Sequence, residues 1–218
     1  MNFADPDERD AHYETEAVLK HYFHHPNVPP FIAIFLIQRF GISNPSPRYV
    51  EQVATAFKDG FYEYSGHSSP TVSYGTGEYG DLSATLTAVI LDQESRSIIL
   101  DSDPTKGSLK EPLLKVINYM RSMEYIPAEY HRSSRENTAL VDMTKKIGQM
   151  IYDNKTIFSF FRREFTPFGP VQQASLVAPE AQKYMAPNVI GLLNGIFSLT
   201  KYGLRECYTG FGAWSHRG

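Results

Sequence analysis

The 218-residue sequence predicts a mainly α fold, an irregular multi-helix bundle with long loops. Apolar residues recur every three or four positions in several segments, which is typical of helices with one buried face. Those segments begin after Ser, Asp or Pro and end at Gly, the usual start and stop signals of helices. No segment shows the strict alternation of apolar and polar residues that marks a half-buried strand.

The first three helices carry the clearest signals. Residues 14–25 form an amphipathic pattern, and VPPFIAIFLIQRFG is apolar around nearly its whole circumference. The second pattern predicts a central, buried helix with a left-handed stop at Gly41. In the third segment we expect Ser46 to cap the helix, Pro47 to take its first position and Gly60 to end it.

The later elements are less regular. Residues 61–79 lose periodicity and are rich in Gly, Ser and Tyr, which predicts a long surface loop. Asp81 is expected to cap the next helix, and the spacing of Ser108 and Glu111 predicts a capping box at the start of another. The weaker predictions, in order, are a helix over 140–152, two helical pieces over 175–202 broken near Pro187, and an irregular tail over 206–218.

Composition limits the classes of function. We divide the chain into an acidic N-terminal segment 1–16, a single helical domain 17–205 and a tail 206–218. The net charge of −3 argues against nucleic-acid binding, which needs a basic surface. One cysteine, Cys207, rules out an internal disulfide. The longest apolar run, 31–37, is too short to span a membrane, and the acidic start does not resemble a signal peptide.

A glycine-rich segment, Gly75-x-Gly77-x-x-Gly80, has the spacing of a dinucleotide-binding fingerprint. That fingerprint requires a buried strand before the glycines and a βαβ alternation after them. Here a polar stretch precedes the glycines and helices lie on either side. We therefore predict a glycine-permitted loop leading into a helix capped by Asp81, and no cofactor.

Histidine spacing gives no metal site. His21 and His25 are four residues apart on one predicted helix, so they could share a metal ion. No glutamate follows the zinc-protease arrangement, and no third ligand is suggested by spacing. We expect His25 to end the helix and to bond to a neighbouring backbone carbonyl.

A polar group of residues is the first candidate site, and it comprises His25, Gln38, Arg39, Asn44 and Asp81. Arginine donates in a planar fork and asparagine can fix an orientation, so an anion or sugar site is one interpretation. The alternative, which we favour, is that these groups satisfy helix termini and pair with an acid such as Asp81 or Asp92.

Loop tyrosines are the second candidate site. Tyr62, Tyr64, Tyr74 and Tyr79 are predicted to be exposed, and exposed aromatic rings suit stacking against sugars. The acids of the helical segments, Asp81, Asp92, Glu94 and Glu111, could in principle serve glycoside hydrolysis. No catalytic residue is assigned, because capping or helix-end roles account for Asp81, Glu111 and Asp92.

Several segments occur together in a recognisable order: HPNVPPFIAIFLIQRF, SNPSPRYVEQVATAF, GDLSATLTAVILD, LKEPLL, IFSFF and LVAPEAQ. From Ala17 to Asn188 the chain resembles the C-terminal half of the domain-of-unknown-function 1800 family. The resemblance implies a large, mostly helical bacterial protein that usually carries a secretion signal. It also implies frequent gene proximity to a secreted sulfatase-like or phosphatase-like family, and it brings no established activity.

Two departures from that family affect the interpretation. Family members are about twice as long, so we expect a fragment, a truncated gene model or a divergent short form. The Phe61–Tyr79 stretch is also longer than the usual connection, so the glycines lie largely in an insertion.

Three functions follow as expectations. The first is a secreted or surface-associated protein, extracellular or periplasmic, that binds or processes a polysaccharide. The second is a hydrolase whose site needs the missing N-terminal half. The third is a structural or assembly module that associates through the surface left by that half.

Overall fold

A computed structural model describes residues 8–65, 70–103, 105–125, 136–140, 143–154, 156–157, 159–204 and 210–216. The chain divides into two compact units at the bond between Gly107 and Ser108. Cys207 and the first seven residues of the acidic segment lie outside the described residues. The mainly α class is confirmed, since helices dominate both units.

The first unit contains five α-helices, one hairpin and a 3₁₀ turn among its described residues. In chain order they are α1 (Glu8–Phe23), α2 (Val28–Phe40), α3 (Pro47–Asp59), β1 (Phe61–Tyr64), β2 (Val72–Gly75), α4 (Leu82–Leu91), α5 (Gln93–Arg96) and the 3₁₀ turn Ile98–Ser102.

The core of the first unit lies where α2, α3 and α4 pack together. Its buried residues are Ala33, Ile37, Tyr49, Val53, Ala56, Ala88 and Val89. The Tyr49 hydroxyl donates to the Val89 carbonyl at 2.5 Å, so the one polar atom of that ring is satisfied in the core. Burial, the first cause, raises the pKa of Tyr49 to about 12.

Helix α2 is less buried than its composition predicts. Small Ala33 and branched Ile37 face α3 and α4, whereas Phe31 and Phe40 are exposed. The all-round apolar pattern therefore overstated the burial of this helix. Gly41 ends α2 as expected, with its N–H donating to Ile37 O at 2.7 Å, but its φ of −131° is not left-handed, so that part of the prediction was wrong.

Helix α3 is capped as its sequence predicts. The Ser46 hydroxyl accepts from the Tyr49 amide at 3.2 Å, and Pro47 takes the first helical position. Gly60 ends the helix in the left-handed region at φ 72°, where its N–H donates to Ala56 O at 3.0 Å. A Cβ at Gly60 would lie 2.2 Å from Glu78 O, so glycine is required here for space as well as for conformation.

A hairpin replaces part of the long loop predicted over 61–79. Strands β1 and β2 pair antiparallel, with Tyr62 opposite Tyr74 and Tyr64 opposite Val72. The loop prediction was wrong because β2 is exposed along its whole length, so no alternation of buried and exposed residues marks it in the sequence. Aromatic and β-branched residues on both strands favour pairing nonetheless.

The glycine-rich segment folds back onto the end of α3. The N–H of Gly77 donates to Gly60 O at 2.9 Å, and the N–H of Gly80 donates to Phe57 O at 2.8 Å. Asp81 accepts from the Ala84 amide at 2.9 Å, which confirms its capping role. The amides that would cradle a phosphate in a dinucleotide site are thus bonded within the chain.

The second unit is smaller in regular structure. Its described elements are α6 (Pro112–Ser122), β3 (Glu136–Leu140), α7 (Met143–Ile147), α8 (Pro170–Gln173), the 3₁₀ turn Pro179–Lys183, α9 (Ala186–Tyr202) and β4 (Gly212–His216). Strands β3 and β4 pair antiparallel. The core residues are Leu113, Val116, Met143, Ile147, Leu192 and Phe211. The Phe211 ring lies where a Cβ on Gly195 would be, 2.0 Å from its nearest ring atom.

Several predictions for the second unit were wrong in detail. The capping box does not form: α6 begins at Pro112, and the Glu111 carboxylate instead accepts from Gln149 Nε2 at 2.7 Å in the interior. Gln149 also accepts from the Leu113 amide at 3.1 Å, so one buried amide side chain supports the helix start that a cap would have supported. The tail forms β4, which only its long-range partner β3 explains. The break near Pro187 is confirmed, because the 3₁₀ turn ends at Lys183 and α9 begins at Ala186, with Pro187 in its first turn.

Candidate functional site

Three of the five polar candidates make local hydrogen bonds. His25 Nδ1 accepts from the Asn27 amide at 3.2 Å just beyond the end of α1, so this backbone partner is an N–H group and not the carbonyl that was expected. Gln38 Nε2 donates to Ser43 O at 3.0 Å across the α2–α3 connection. Asp81 accepts from the Thr76 amide and hydroxyl at 2.8 Å each as well as from Ala84.

These contacts explain the electrostatics of that group. Hydrogen bonds from Ala84 and then Thr76 lower the pKa of Asp81. Arg39 is exposed in the last turn of α2, and Asn44 is half-buried in the connection that follows. The arrangement matches the structural interpretation, in which polar groups satisfy helix ends, more closely than a shared ligand site.

Tyr79 belongs to a separate aromatic cluster. Its hydroxyl donates to Phe23 O at 2.8 Å, and its ring stacks on His24 at 4.9 Å. The edge of the same ring meets Phe57 at 5.2 Å. Burial raises the pKa of Tyr79. This tyrosine holds the end of α1 against α3, so its ring face is already covered.

The other three loop tyrosines share one face of the hairpin. Tyr62 and Tyr74 are directly opposite each other, and Tyr64 lies two residues along β1 from Tyr62. Because side chains alternate across a strand, all three project to the same side. Tyr74 is 37% exposed, whereas Tyr62 and Tyr64 are half-buried.

An arginine from α5 joins this face. The Arg96 guanidinium carbon lies 5.2 Å from the centroid of the Tyr64 ring, and Nη1 donates to the Tyr64 hydroxyl. Stacking of this kind is typical of the flat, weakly hydrated guanidinium group. Helix α5 directly follows α4, so the helical core positions Arg96 over β1.

A second arginine is held beside the face by a buried acid. Arg48 donates to both oxygens of Asp92, at 2.6 and 3.0 Å, in the bidentate geometry that makes such pairs strong. The Asp92 side chain is 4% exposed and that of Arg48 50% exposed. The hydrogen bond to Asp92 is the main cause that raises the pKa of Arg48.

Glu94 extends the ionic network. Its carboxylate accepts from the Ser46 amide at 2.9 Å, from the Ser46 hydroxyl and from Lys106 Nζ at 2.6 Å. Arg48 Nη2 lies 3.6 Å from Glu94 Oε2, the oxygen that accepts from the Ser46 hydroxyl. Burial raises the pKa of Glu94, but the hydrogen bonds from Lys106 and Ser46 together outweigh it, so the net pKa is lowered.

The hairpin and the ionic network meet at Tyr62. Burial is the first cause that raises the pKa of Tyr62, and the charge of Asp92 raises it further, while Arg48 and Arg96 lower it. The Tyr62 hydroxyl therefore lies within electrostatic reach of both arginines. We call the set Tyr62, Tyr64, Tyr74, Arg48 and Arg96 the tyrosine–arginine face.

Sequence reasoning found the tyrosines and named both acids but missed the two arginines. One signal was available for Arg48, which lies in the first turn of α3, where the helix dipole disfavours a positive charge. Such a placement indicates a nearby acid. Arg96 gave no local signal, because only the fold brings α5 beside β1.

The face combines aromatic rings with arginine side chains, and the carboxylate of Glu94 lies in the network beside it. Ring faces and planar N–H donors stand side by side, while Glu94 is kept ionised and accepts several hydrogen bonds. A general acid at neutral pH needs a raised pKa, which is the opposite shift. Among the described residues, no group of three His, Cys, Asp or Glu side chains is placed to hold a metal ion.

A family model described as "Protein of unknown function (DUF1800)" matches residues 3–205. The chain belongs to this family. No curated protein and no solved structure matches it. The DUF1800 match includes every residue of the tyrosine–arginine face and of the ionic network behind it. No helix in the described part of the chain has the length and apolar character needed to cross a membrane.

Proposed function

We propose that this DUF1800 protein binds a polysaccharide at the tyrosine–arginine face. The observation that carries the proposal is the alignment of Tyr62, Tyr64 and Tyr74 on one side of the hairpin, with a guanidinium stacked on Tyr64. The C–H face of a sugar packs on an aromatic ring, and planar donors beside the ring bond to its hydroxyls.

The support beneath the face favours a preformed site. Tyr62 packs against the core of the first unit, and Arg48 is fixed by two hydrogen bonds to Asp92. Side chains locked in this way lose little freedom when a ligand binds, which improves affinity. Tyr74 is the most exposed of the three rings, so it is the ring on which we expect a sugar to stack.

Binding is favoured over hydrolysis by the state of the acids. Glycoside hydrolysis requires one carboxyl group that remains protonated near neutral pH and a second that is ionised. Glu94 has a lowered pKa, and Asp92 forms a bidentate ion pair with Arg48. Glu94 is therefore not prepared to donate a proton to a leaving oxygen, and both oxygens of Asp92 are occupied by Arg48.

Affinity electrophoresis of the whole chain in gels containing soluble polysaccharides tests the proposal. The panel is polygalacturonate, its methyl ester, dextran, dextran sulfate and xylan. We expect at least one polymer to retard the chain. Tyr74→Ala should reduce that retardation, since loss of a stacked ring costs about 1 kcal/mol, or roughly fivefold in affinity.

Phe61→Ala is the matched control. Phe61 is an exposed aromatic residue of the same hairpin, 47% exposed, but it lies on the opposite side from Tyr62. Its loss should leave the retardation unchanged. Equal effects of Phe61→Ala and Tyr74→Ala, or no retardation by any polymer, would contradict the proposal.

The proposed partner also sets an expected location. Structural polysaccharides lie mainly outside the cytosol, so we propose an extracellular or periplasmic role for the native gene product. Fractionation of producing cells with an antibody against this chain checks that point. Recovery in the cytosolic fraction alone would count against it.

A second candidate, self-association, is favoured by the exposed apolar face of α1. Val18, Leu19 and Tyr22 are 52%, 63% and 66% exposed on a helix that meets the rest of its unit through its last residues. The first nine residues of α1 carry four acids and one arginine, whereas the last seven carry one lysine and no acid. Antiparallel pairing with a second copy therefore places unlike charges opposite each other, and parallel pairing does not.

Sedimentation velocity distinguishes the outcomes. The wild-type chain should form a concentration-dependent dimer, and the double substitution Val18→Glu, Leu19→Glu should abolish it. Ile98→Glu is the control, because Ile98 is an apolar residue elsewhere in the same unit and is even more exposed, at 84%. A wild-type monomer at all concentrations would exclude this candidate.

A further inference from the structure

We infer that the polymer recognised by the tyrosine–arginine face is acidic and carries carboxylate or sulfate groups. This inference rests on the proposed function and specifies its ligand class. It follows from how the charges around the face are distributed, and in particular from the difference between Arg96 and the neighbouring cations.

One cation of the face, Arg48, and one cation beside it, Lys106, are already neutralised by acids of the protein. Arg48 is paired with Asp92 in a bidentate ion pair, and Lys106 is paired with Glu94 at 2.6 Å. Both acids are nearly inaccessible to solvent, so a ligand cannot easily displace them. These pairs hold the site together, and their charges largely cancel.

Arg96 differs from both. Its contacts are the hydroxyl and ring of Tyr64, and of the carboxylates that the structure describes none forms an ion pair with it. One of its terminal nitrogens is used by a neutral partner, and the residue is exposed. The guanidinium group has further N–H donors, and their planar arrangement matches a carboxylate or a sulfate.

The position of Arg96 places this charge at the binding surface. A ligand that stacks on the hairpin rings lies beside a guanidinium already oriented on Tyr64, so little entropy is lost on forming the ion pair. A neutral sugar would leave the charge without a counterion, whereas an acidic sugar supplies one. A charge-assisted hydrogen bond contributes enough to change affinity about tenfold or more.

Matched polymer pairs test the inference with the whole chain. Polygalacturonate is compared with its fully methylated ester, and dextran sulfate with dextran, by affinity electrophoresis and by titration calorimetry. We expect at least tenfold tighter binding to one acidic polymer than to its neutral counterpart. Arg96→Gln should remove that difference, because glutamine keeps hydrogen-bond donors at this position but carries no charge.

Arg121→Gln is the control for general charge effects. Arg121 is an exposed arginine in the last turn of α6, so the substitution changes the net charge equally at a position outside the face. It should keep the acidic preference. If Arg121→Gln and Arg96→Gln weaken acidic binding equally, the preference is a bulk charge effect and the inference fails.

The remaining outcomes separate the inference from the proposed function. Equal binding of acidic and neutral polymers, with loss on Tyr74→Ala, overturns the acidic specificity and keeps polysaccharide binding. Retardation by xylan alone, with none of these four polymers bound, overturns the acidic specificity and keeps polysaccharide binding, and retardation by no polymer of the panel overturns both. A preference for polygalacturonate over dextran sulfate, lost in Arg96→Gln, identifies carboxylate as the group recognised, and the reverse order identifies sulfate.

Discussion

Substitution of Glu94 by glutamine tests the ionic network beneath the tyrosine–arginine face. Glu94 accepts from the Ser46 amide, the Ser46 hydroxyl and Lys106, and its side chain is 7% exposed. Hydrogen bonds to a charged group contribute about 1.5–3 kcal/mol each, and glutamine retains one accepting oxygen. We therefore expect the first unit to lose about 2–3 kcal/mol.

Hydrogen exchange read by mass spectrometry measures this loss, because peptides of α3 report the first unit alone. At neutral pH the exchange of α3 amides in Glu94→Gln should be roughly 30- to 150-fold faster than in the wild type. Glu63→Gln is the control, since Glu63 is exposed on β1, and it should change exchange less than about twofold.

The pH dependence of the same comparison provides a stricter check. A carboxyl group whose pKa is lowered on folding stabilises the protein above its ordinary pKa, and that stabilisation is lost as pH falls through the folded pKa. For Glu94 the ordinary value is 4.5. The difference between variant and wild type should therefore persist at pH 6 and shrink below about pH 4.5. An undiminished difference at lower pH, or equal exchange in the Glu94 and Glu63 variants, would refute the role assigned to Glu94.

Three further substitutions test other parts of the fold. Gly60→Ala should destabilise the first unit far more than Gly77→Ala in thermal scans, because both glycines have positive φ but only Gly60 faces a backbone oxygen 2.2 Å from the added Cβ. Equal losses would contradict that contact. Gly195→Ala should lower the cooperativity of the second unit, since its Cβ would overlap the Phe211 ring, and unchanged unfolding would show that the ring moves aside freely. Asp81→Ala should speed amide exchange in α4, whereas Asp81→Asn should largely preserve it, because asparagine also caps helices; equal behaviour of the two variants would argue against the cap.

Helix ends were the most predictable part of this fold. Ser46, Gly60 and Asp81 act through neighbours within a few residues, so their roles are encoded locally in the sequence. The capping box at Ser108 failed for an equally physical reason. The Glu111 carboxylate accepts a hydrogen bond from buried Gln149, thirty-eight residues away, instead of from the start of its own helix. Local spacing carries no information about such a contact.

The candidate site was only partly predictable, because it depends on long-range placement. The tyrosines could be named from an aromatic-rich segment, but their sorting depends on the hairpin register, which puts Tyr62, Tyr64 and Tyr74 on one side. Tyr79 is held elsewhere by Phe23. The contact between Arg96 and Tyr64 spans thirty-two residues and exists only because α4 and α5 pack beside β1.

The most direct test of polysaccharide binding is an NMR titration of tyrosine-labelled protein with oligogalacturonate. The chain has 14 tyrosines, and their ring signals can be assigned with single Tyr→Phe variants. Binding at the tyrosine–arginine face should shift the signals of Tyr64 and Tyr74 and leave that of Tyr79 in place. Saturable shifts confined to Tyr79 or to tyrosines of the second unit, or no shifts with oligogalacturonate and none with a dextran sulfate oligomer, would contradict the assignment of this face as the binding site for an acidic polysaccharide.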